Sequence, residues 1–166
     1  MKKFSGGIWV LVAIVCILSA TAVRTMAATP MPSFSLVRVG DGRLVHSESY
    51  EGKVLLINFF ATWCPACSKE IPGLNSLQKK YEKDDFSVVG LSVDRKGQDI
   101  VEKFMKRKGV VYPVLMVDRK TVAAFGGVYG IPVSFLVNKS GYVVKKYNGY
   151  VSEKSLEKDV KRLLGS

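Results

Sequence analysis

The sequence predicts an α/β fold in which helices flank a central mixed β-sheet, and three observations carry that expectation. Two uninterrupted apolar runs of strand length, Val54–Phe60 (VLLINFF) and residues 86–93 (FSVVGLSV), read as buried strands. Each is followed by a stretch with helical apolar spacing, and the chain closes with two further strand-like runs and an amphipathic helix. Such alternation is the pattern of a layered sheet and helix domain. At 166 residues one domain can bury a core without disulfides to support it.

Residues 1–28 have the form of an export signal: Lys2 and Lys3, an apolar stretch over residues 8–23, then the small residues Ala27 and Ala28. The stretch is a little long for a signal peptide and a little short for a comfortable membrane span. Cleavage after Thr25-Met26-Ala27 and retention as an anchor, with membrane association through residues 8–23, both stay open. Either outcome delivers the rest of the chain to the non-cytoplasmic side. Cys16, inside the apolar stretch, reads as an inert filler, because Ala13-Ile14-Val15 matches a lipoprotein cleavage site poorly.

Residues 29–33, with Pro30 and Pro32, read as a linker, leaving residues 34–166 as the domain. Residues 35–46 predict a small hairpin around Asp41-Gly42. After the VLLINFF strand, the residues from Pro65 onward place Ile71, Leu74, Leu77 and Tyr81 on one helix face. Gln98–Lys108 predicts a second helix with Ile100, Val101, Phe104 and Met105 inward and Gly109 as its stop. Residues 112–117 predict a short strand and residues 119–125 a short helix. Residues 133–138 and 142–147 predict a pair of strands turned at Lys139-Ser140-Gly141. Ser152 caps a last helix running to Leu164, with Leu156, Val160 and Leu163 facing the core.

Chemistry concentrates in Trp63-Cys64-Pro65-Ala66-Cys67, two thiols one helical turn apart between the first buried strand and its helix. At a helix N-terminus the unpaired N–H groups and the positive end of the dipole favour a thiolate, the species that attacks disulfides. Cys67, in the first turn, is placed to resolve the mixed disulfide that Cys64 would form. A zinc site needs about four ligands, and beyond these two Cys the domain offers only His46, so no metal is expected. Haem attachment needs His after the second Cys, where this chain has Ser68. An inert structural bridge closing so short a loop would restrain the unfolded chain little. An exported domain whose only thiols form one CxxC pair points to redox chemistry rather than to a disulfide framework.

The chain is basic, with a formal net charge of +11, and without Lys2, Lys3 and Arg24 the remainder still carries +8. Lysines scattered over the helices, among them Lys79, Lys80, Lys103, Lys106, Lys154 and Lys158, read as solvated faces rather than a nucleic-acid groove. No nucleic-acid partner is expected, and the domain is expected to be a monomer.

Four features together resemble the exported thioredoxin-fold proteins of the ResA/TlpA/CcmG (DsbE) type, over Pro32 to Leu164. Residues 58–67 (NFFATWCPAC) match the family's active-site pattern, and Pro72 matches its helix-kinking proline. Gly127-Val128-Tyr129-Gly130-Ile131-Pro132 is similar to the segment ending in the family's cis-proline, and residues 94–117 fit the helix and strand that this branch inserts into the simpler fold. The resemblance implies a thioredoxin-like fold with an N-terminal hairpin and a central helix-strand insertion. It also implies a cis Pro132, leaving the Ile131 backbone facing the CxxC so that a substrate segment can pair with it as an added strand. Trp63 and Pro65 would line that substrate surface, and Tyr129 would pack behind the loop.

Glu70 matches an active-site glutamate of the ResA-type reductases, a carboxylate able to hold a cysteine's proton during exchange; the other reading is a solvated first-turn Glu. Asn58 stands where cytoplasmic thioredoxins carry a buried acid and reads as a hydrogen-bonded core residue. Asp94 and Arg95 match the family's acidic positions only loosely, and Val133 stands where cytochrome-maturation relatives can have an acid. His46 reads as a surface residue.

The resulting expectation is an extracytoplasmic dithiol–disulfide oxidoreductase, in the bacterial periplasm or on the outer face of the cytoplasmic membrane. Its redox-active Cys64–Cys67 pair would serve in place of a cofactor. The resemblance implies a reductase recharged by a membrane thiol donor and acting on protein disulfides, apocytochrome c among them. Three alternatives stand beside it: an oxidase of folding proteins, a peroxiredoxin-like peroxidase and a copper-delivery module. Ala61 stands where a peroxidase would carry Thr, and copper carriers on this fold need a His that the Pro132 region lacks.

Overall fold

The computed structural model describes residues 29–165. The export-signal expectation for residues 1–28, with Cys16 and the membrane contact through residues 8–23, lies outside the described residues. Among the described residues no helix is long and apolar enough to cross a membrane.

Among the described residues eight strands form one mixed sheet: β1 (Thr29–Pro30), β2 (Ser35–Arg38), β3 (Leu44–His46), β4 (Val54–Phe60), β5 (Phe86–Ser92), β6 (Val114–Met116), β7 (Val133–Val137) and β8 (Tyr142–Asn148). Their spatial order is β1-β8-β7-β4-β5-β6-β2-β3. Helices α1 (Pro65–Tyr81) and α2 (Gln98–Lys108) connect β4 to β5 and β5 to β6. A short α3 (Arg119–Ala124) precedes β7, and α4 (Glu153–Leu164) ends the domain. Strands β4, β5 and β6 are parallel, and β7 runs antiparallel to β4.

The parallel strands are stepped across the sheet in one direction, so their two helical crossovers, right-handed as such connections nearly always are, lie on the same face. There Ile71, Leu74, Leu77 and Tyr81 of α1, Val101 and Phe104 of α2, and Leu156 and Val160 of α4 pack on Val54, Leu56, Phe60, Val88 and Val114. On the opposite face Phe34, Leu36 and Phe125, the last just after α3, pack with Leu55, Ile57, Phe59, Val89 and Leu91. Its centre is a trio of rings, Phe59, Phe125 and Phe135, all edge-on, with centroids 5.1–5.9 Å apart. The mixed sheet, flanking helices, N-terminal hairpin and central helix-strand addition of α2 with β6 are those the sequence predicts. Gly109, at φ +63°, closes α2 in the left-handed conformation expected of its stop.

The structure departs from the sequence reading at three places. Thr29 and Pro30, expected as linker, form the outer strand β1 against Tyr142 and Val143, and the Met31 N–H continues the contact to the Gly141 carbonyl at 2.8 Å. Proline is tolerated there because the strand is an edge. Ile100 is exposed, since a helix lying flat on the sheet buries one narrow stripe and Val101 and Phe104 occupy it. Tyr129, expected to pack behind the Pro132 loop, is 98% exposed, with its ring folded over the Cα of Gly127.

Candidate active site

The redox pair sits where β4 ends and α1 begins. The chain leaves β4 at Phe60 and turns through Ala61-Thr62-Trp63-Cys64, closed by the Cys64 N–H donating to the Ala61 carbonyl at 3.2 Å. Cys64 is the N-cap of α1 in extended conformation, and Pro65 follows in the first helical turn, where its missing N–H costs nothing. The Cys67 N–H donates to Cys64 Sγ at 3.1 Å, so the helix N-terminus points its partial positive charge at that sulfur. Cys64 and Cys67 form a disulfide with Cα atoms 5.3 Å apart. They are 5% and 2% exposed. Pro72 lies inside α1, as placed by the sequence.

The loop before β7 closes over this pair. The Ile131–Pro132 bond is cis, and the Ile131 carbonyl oxygen lies 3.9 Å from Cys64 Sγ. Beside it, residues 127–133 with Lys146, Asn148 and Gly149 line an open depression of about 370 Å³. Trp63 projects into solvent, 70% exposed, and Pro65 is exposed next to it. Of the expected site residues, Cys64, Cys67, Ile131 and Pro132 therefore converge, and Trp63 and Pro65 stand at their solvent side.

Glu70, one turn beyond Cys67, is buried rather than solvated. Its Oε1 accepts the Val151 N–H at 2.7 Å, and its Oε2 accepts Asn58 Nδ2 at 3.2 Å. Asn58 Nδ2 also donates to Ser134 Oγ at 2.9 Å, joining β4, β7, α1 and the loop before α4 in one network. Burial pushes the Glu70 carboxyl above its ordinary range, and the hydrogen bonds from Val151 and Asn58 only partly offset that. Lys69 lies over the Tyr150 ring at 4.6 Å, pinning the same loop from outside. Tyr112 lies in the same layer: its ring, with Phe60 and Val114, fills the space a side chain at Gly90 would need. Burial, with the Glu70 charge a lesser contributor, raises its phenol well above the usual range.

Asp94 holds the turn from the β5 side, through bonds to Thr62 and Ser92 that residue spacing does not reveal. For Glu70, a candidate in the sequence reading, the position three after Cys67 and four before Leu74 lies on the apolar stripe of α1, which accounts for its burial. Gln78 lies on that stripe too, its Oε1 accepting the Val88 N–H at 2.8 Å. His46 is on the exposed hairpin, its Nδ1 3.0 Å from Ser35 Oγ. Among the described residues no three His, Cys, Asp or Glu side chains are grouped as a metal would need.

Residues 26–164 match the family model described as Redoxin. The thiol-disulfide oxidoreductase ResA of Bacillus thuringiensis subsp. konkukian is 31% identical over 124 residues, 74% of this chain and 70% of that one. ResA of Bacillus subtilis is 29% identical over 87% of this chain and 84% of that one. The crystal structure of a thiol:disulfide interchange protein of the thioredoxin family from Chlorobium tepidum TLS superposes with a TM-score of 0.76 at 40% identity, covering 83% of this chain and 97% of that one.

Proposed function

The chain belongs to the Redoxin family and is a thioredoxin-fold thiol-disulfide oxidoreductase of the ResA/DsbE type with Cys64–Cys67 as its redox pair; from that premise we propose that it works as a reductase of protein disulfides outside the cytoplasm. The observation that carries the direction is the buried Glu70 carboxylate one turn beyond Cys67, held by Val151 and Asn58 and raised by burial. A carboxylate whose pKa is raised is a better acceptor for a thiol proton than an ordinary one. Its negative charge also opposes a permanently stabilised thiolate, the feature that makes a strong oxidant.

In the proposed cycle the Cys64 thiolate attacks one sulfur of a substrate disulfide. A mixed disulfide forms, and the substrate's other sulfur leaves as a thiolate that takes up a proton. Cys67 then loses its proton to Glu70 and attacks Cys64 Sγ, releasing the substrate's second thiolate and closing the Cys64–Cys67 bond. Two electrons have passed to the substrate, and a thiol donor in the membrane returns them. The Ile131 backbone, the cis Pro132, Trp63 and Pro65 form the surface against which an extended substrate segment pairs. Apocytochrome c, with its own CxxC, is a substrate of the right chemistry. The basic leader of residues 1–28 supports placement in the periplasm or on the outer membrane face.

Equilibration of residues 29–166 against glutathione and dithiothreitol buffers tests the direction. A potential below about −200 mV is expected, and one near −120 mV, that of the strong oxidants, would make the domain a disulfide donor instead. Cys64→Ser should abolish exchange altogether.

A further inference from the structure

We propose that Asp94 is a positioning residue for Cys64, acting through Thr62 to fix the turn from which the thiol is presented. The inference rests on Cys64 being the attacking sulfur and adds a residue from just past the end of the neighbouring strand β5 to its support.

The geometry is a two-point hold. Asp94 Oδ2 accepts the Thr62 N–H at 2.9 Å and Oδ1 accepts the Thr62 hydroxyl at 2.7 Å. One carboxylate thus fixes both the peptide plane and the side-chain rotamer of Thr62, whose β-branched Cβ leaves few rotamers to begin with. Thr62 is the second residue of the four-residue turn ending at Cys64. Asp94 is itself fixed. Its Oδ2 accepts the hydroxyl of Ser92 at 2.8 Å, and its own N–H donates back to that hydroxyl at 3.2 Å. Ser92 is fully buried at the end of β5, where its carbonyl accepts the Val117 N–H at 3.1 Å. The Val93 N–H binds the Phe60 carbonyl at 2.9 Å, so Asp94 leaves the sheet from a point tied to the last residue of β4.

A rigid path therefore runs from the sheet through Ser92, Asp94 and Thr62 to the turn. The turn needs such a hold, because Trp63, its third residue, is largely in solvent and contributes little packing. Exchange between sulfurs requires the attacking atom to be aligned with the bond it breaks, and a displacement of about 1 Å can cost up to a hundredfold in rate. Cys64 Sγ must keep its place between the Cys67 N–H and the Ile131 carbonyl.

The test measures, for the reduced domain well below its melting temperature, the second-order rate with an aromatic disulfide dye and the titration of Cys64 by thiolate absorbance. Asp94→Ala is expected to slow exchange about tenfold and Thr62→Val about threefold, with Thr62→Ser recovering what Val loses. The double variant should be no slower than Asp94→Ala alone, because both changes cut one path. Thr62→Val leaves the Asp94 charge in place, so its effect reports geometry, and it decides the matter alone if Asp94→Ala does not fold. Unchanged rates and titration with only a lower melting temperature would overturn the proposal, as would losses that multiply in the double variant. A Cys64→Ser protein that still exchanges disulfides would instead remove the nucleophile assignment, whatever the Asp94 series gives.

Discussion

Asn58 and Phe59 are consecutive on β4 and both almost wholly buried, yet they face opposite layers of different chemistry. Asn58 points under α1, where it donates to Glu70 and Ser134, while Phe59 points the other way and meets the rings of Phe125 and Phe135. The layer away from the redox pair has buried hydroxyls, among them Ser47 and Thr121, but holds no buried carboxylate or amide side chain among the described residues. The layer behind the redox pair admits a carboxylate and an amide, with every buried polar side-chain atom among the described residues partnered. Burying such groups yields little net stability even when they are paired. Glu70's place on α1, one turn beyond Cys67, is what the proposed proton transfer rests on, so one face of β4 is built for cohesion while the other holds buried polar groups beside the redox pair.

The largest effect that would sharpen this contrast is expected from Phe59→Ala. It should cost about 3–5 kcal/mol in denaturant unfolding, because the ring trio would be left around a cavity. The exchange rate per folded molecule should stay at the parent value; a lost rate would break the contrast. Asn58→Ala should cost less, about 1–3 kcal/mol, by leaving Ser134 and one Glu70 oxygen without their donor. Unlike Phe59→Ala it should move the pH–rate profile upward, since Glu70 loses a bond that favours its charged form.

A smaller effect concerns acidity. The folded-state pKa of Glu70 lies above its unfolded value, so the native chain holds more proton than the unfolded chain in the interval between them. Stability contributed by the neutral carboxyl is complete below the unfolded value and is lost as pH rises through the folded one. Glu70→Gln, which cannot titrate, should therefore show a stability deficit against the parent that narrows as pH is raised across that interval. A widening gap in paired thermal melts would contradict it. The least effect is expected from Ile100→Ser, within about 0.5 kcal/mol of the parent by chemical denaturation, since the side chain is on the solvent side of α2.

What the sequence made legible follows the range of the interactions involved. Strands β4 and β5 and helices α1, α2 and α4 were readable because their apolar periodicity is local and each buries a continuous stripe. The CxxC and its place at a helix N-terminus were readable from local spacing, while Pro132 and its cis geometry came from the resemblance. Strand β1 was not, because two residues carry no period and acquire strand character only from Tyr142 and Val143. Asp94 was noticed but not given its work, since its partner Thr62 is 32 residues away and belongs to another strand's end. Tyr129 was misplaced because a loop of glycines has no periodicity from which to tell inside from outside. Glu70 lay between the two cases: the resemblance put it in the active site, while its charge at the first helical turn argued equally for solvent.

The low exposure of both cysteines has a consequence for traffic through the site. A recessed contact in an electrical socket passes current only to a plug of the right shape, and the Cys64–Cys67 pair is recessed in that sense. A partner must bring its own sulfur in beside the Ile131 carbonyl, so selectivity between circuits is set by who can reach the contact, even where many thiols nearby stand at a suitable voltage.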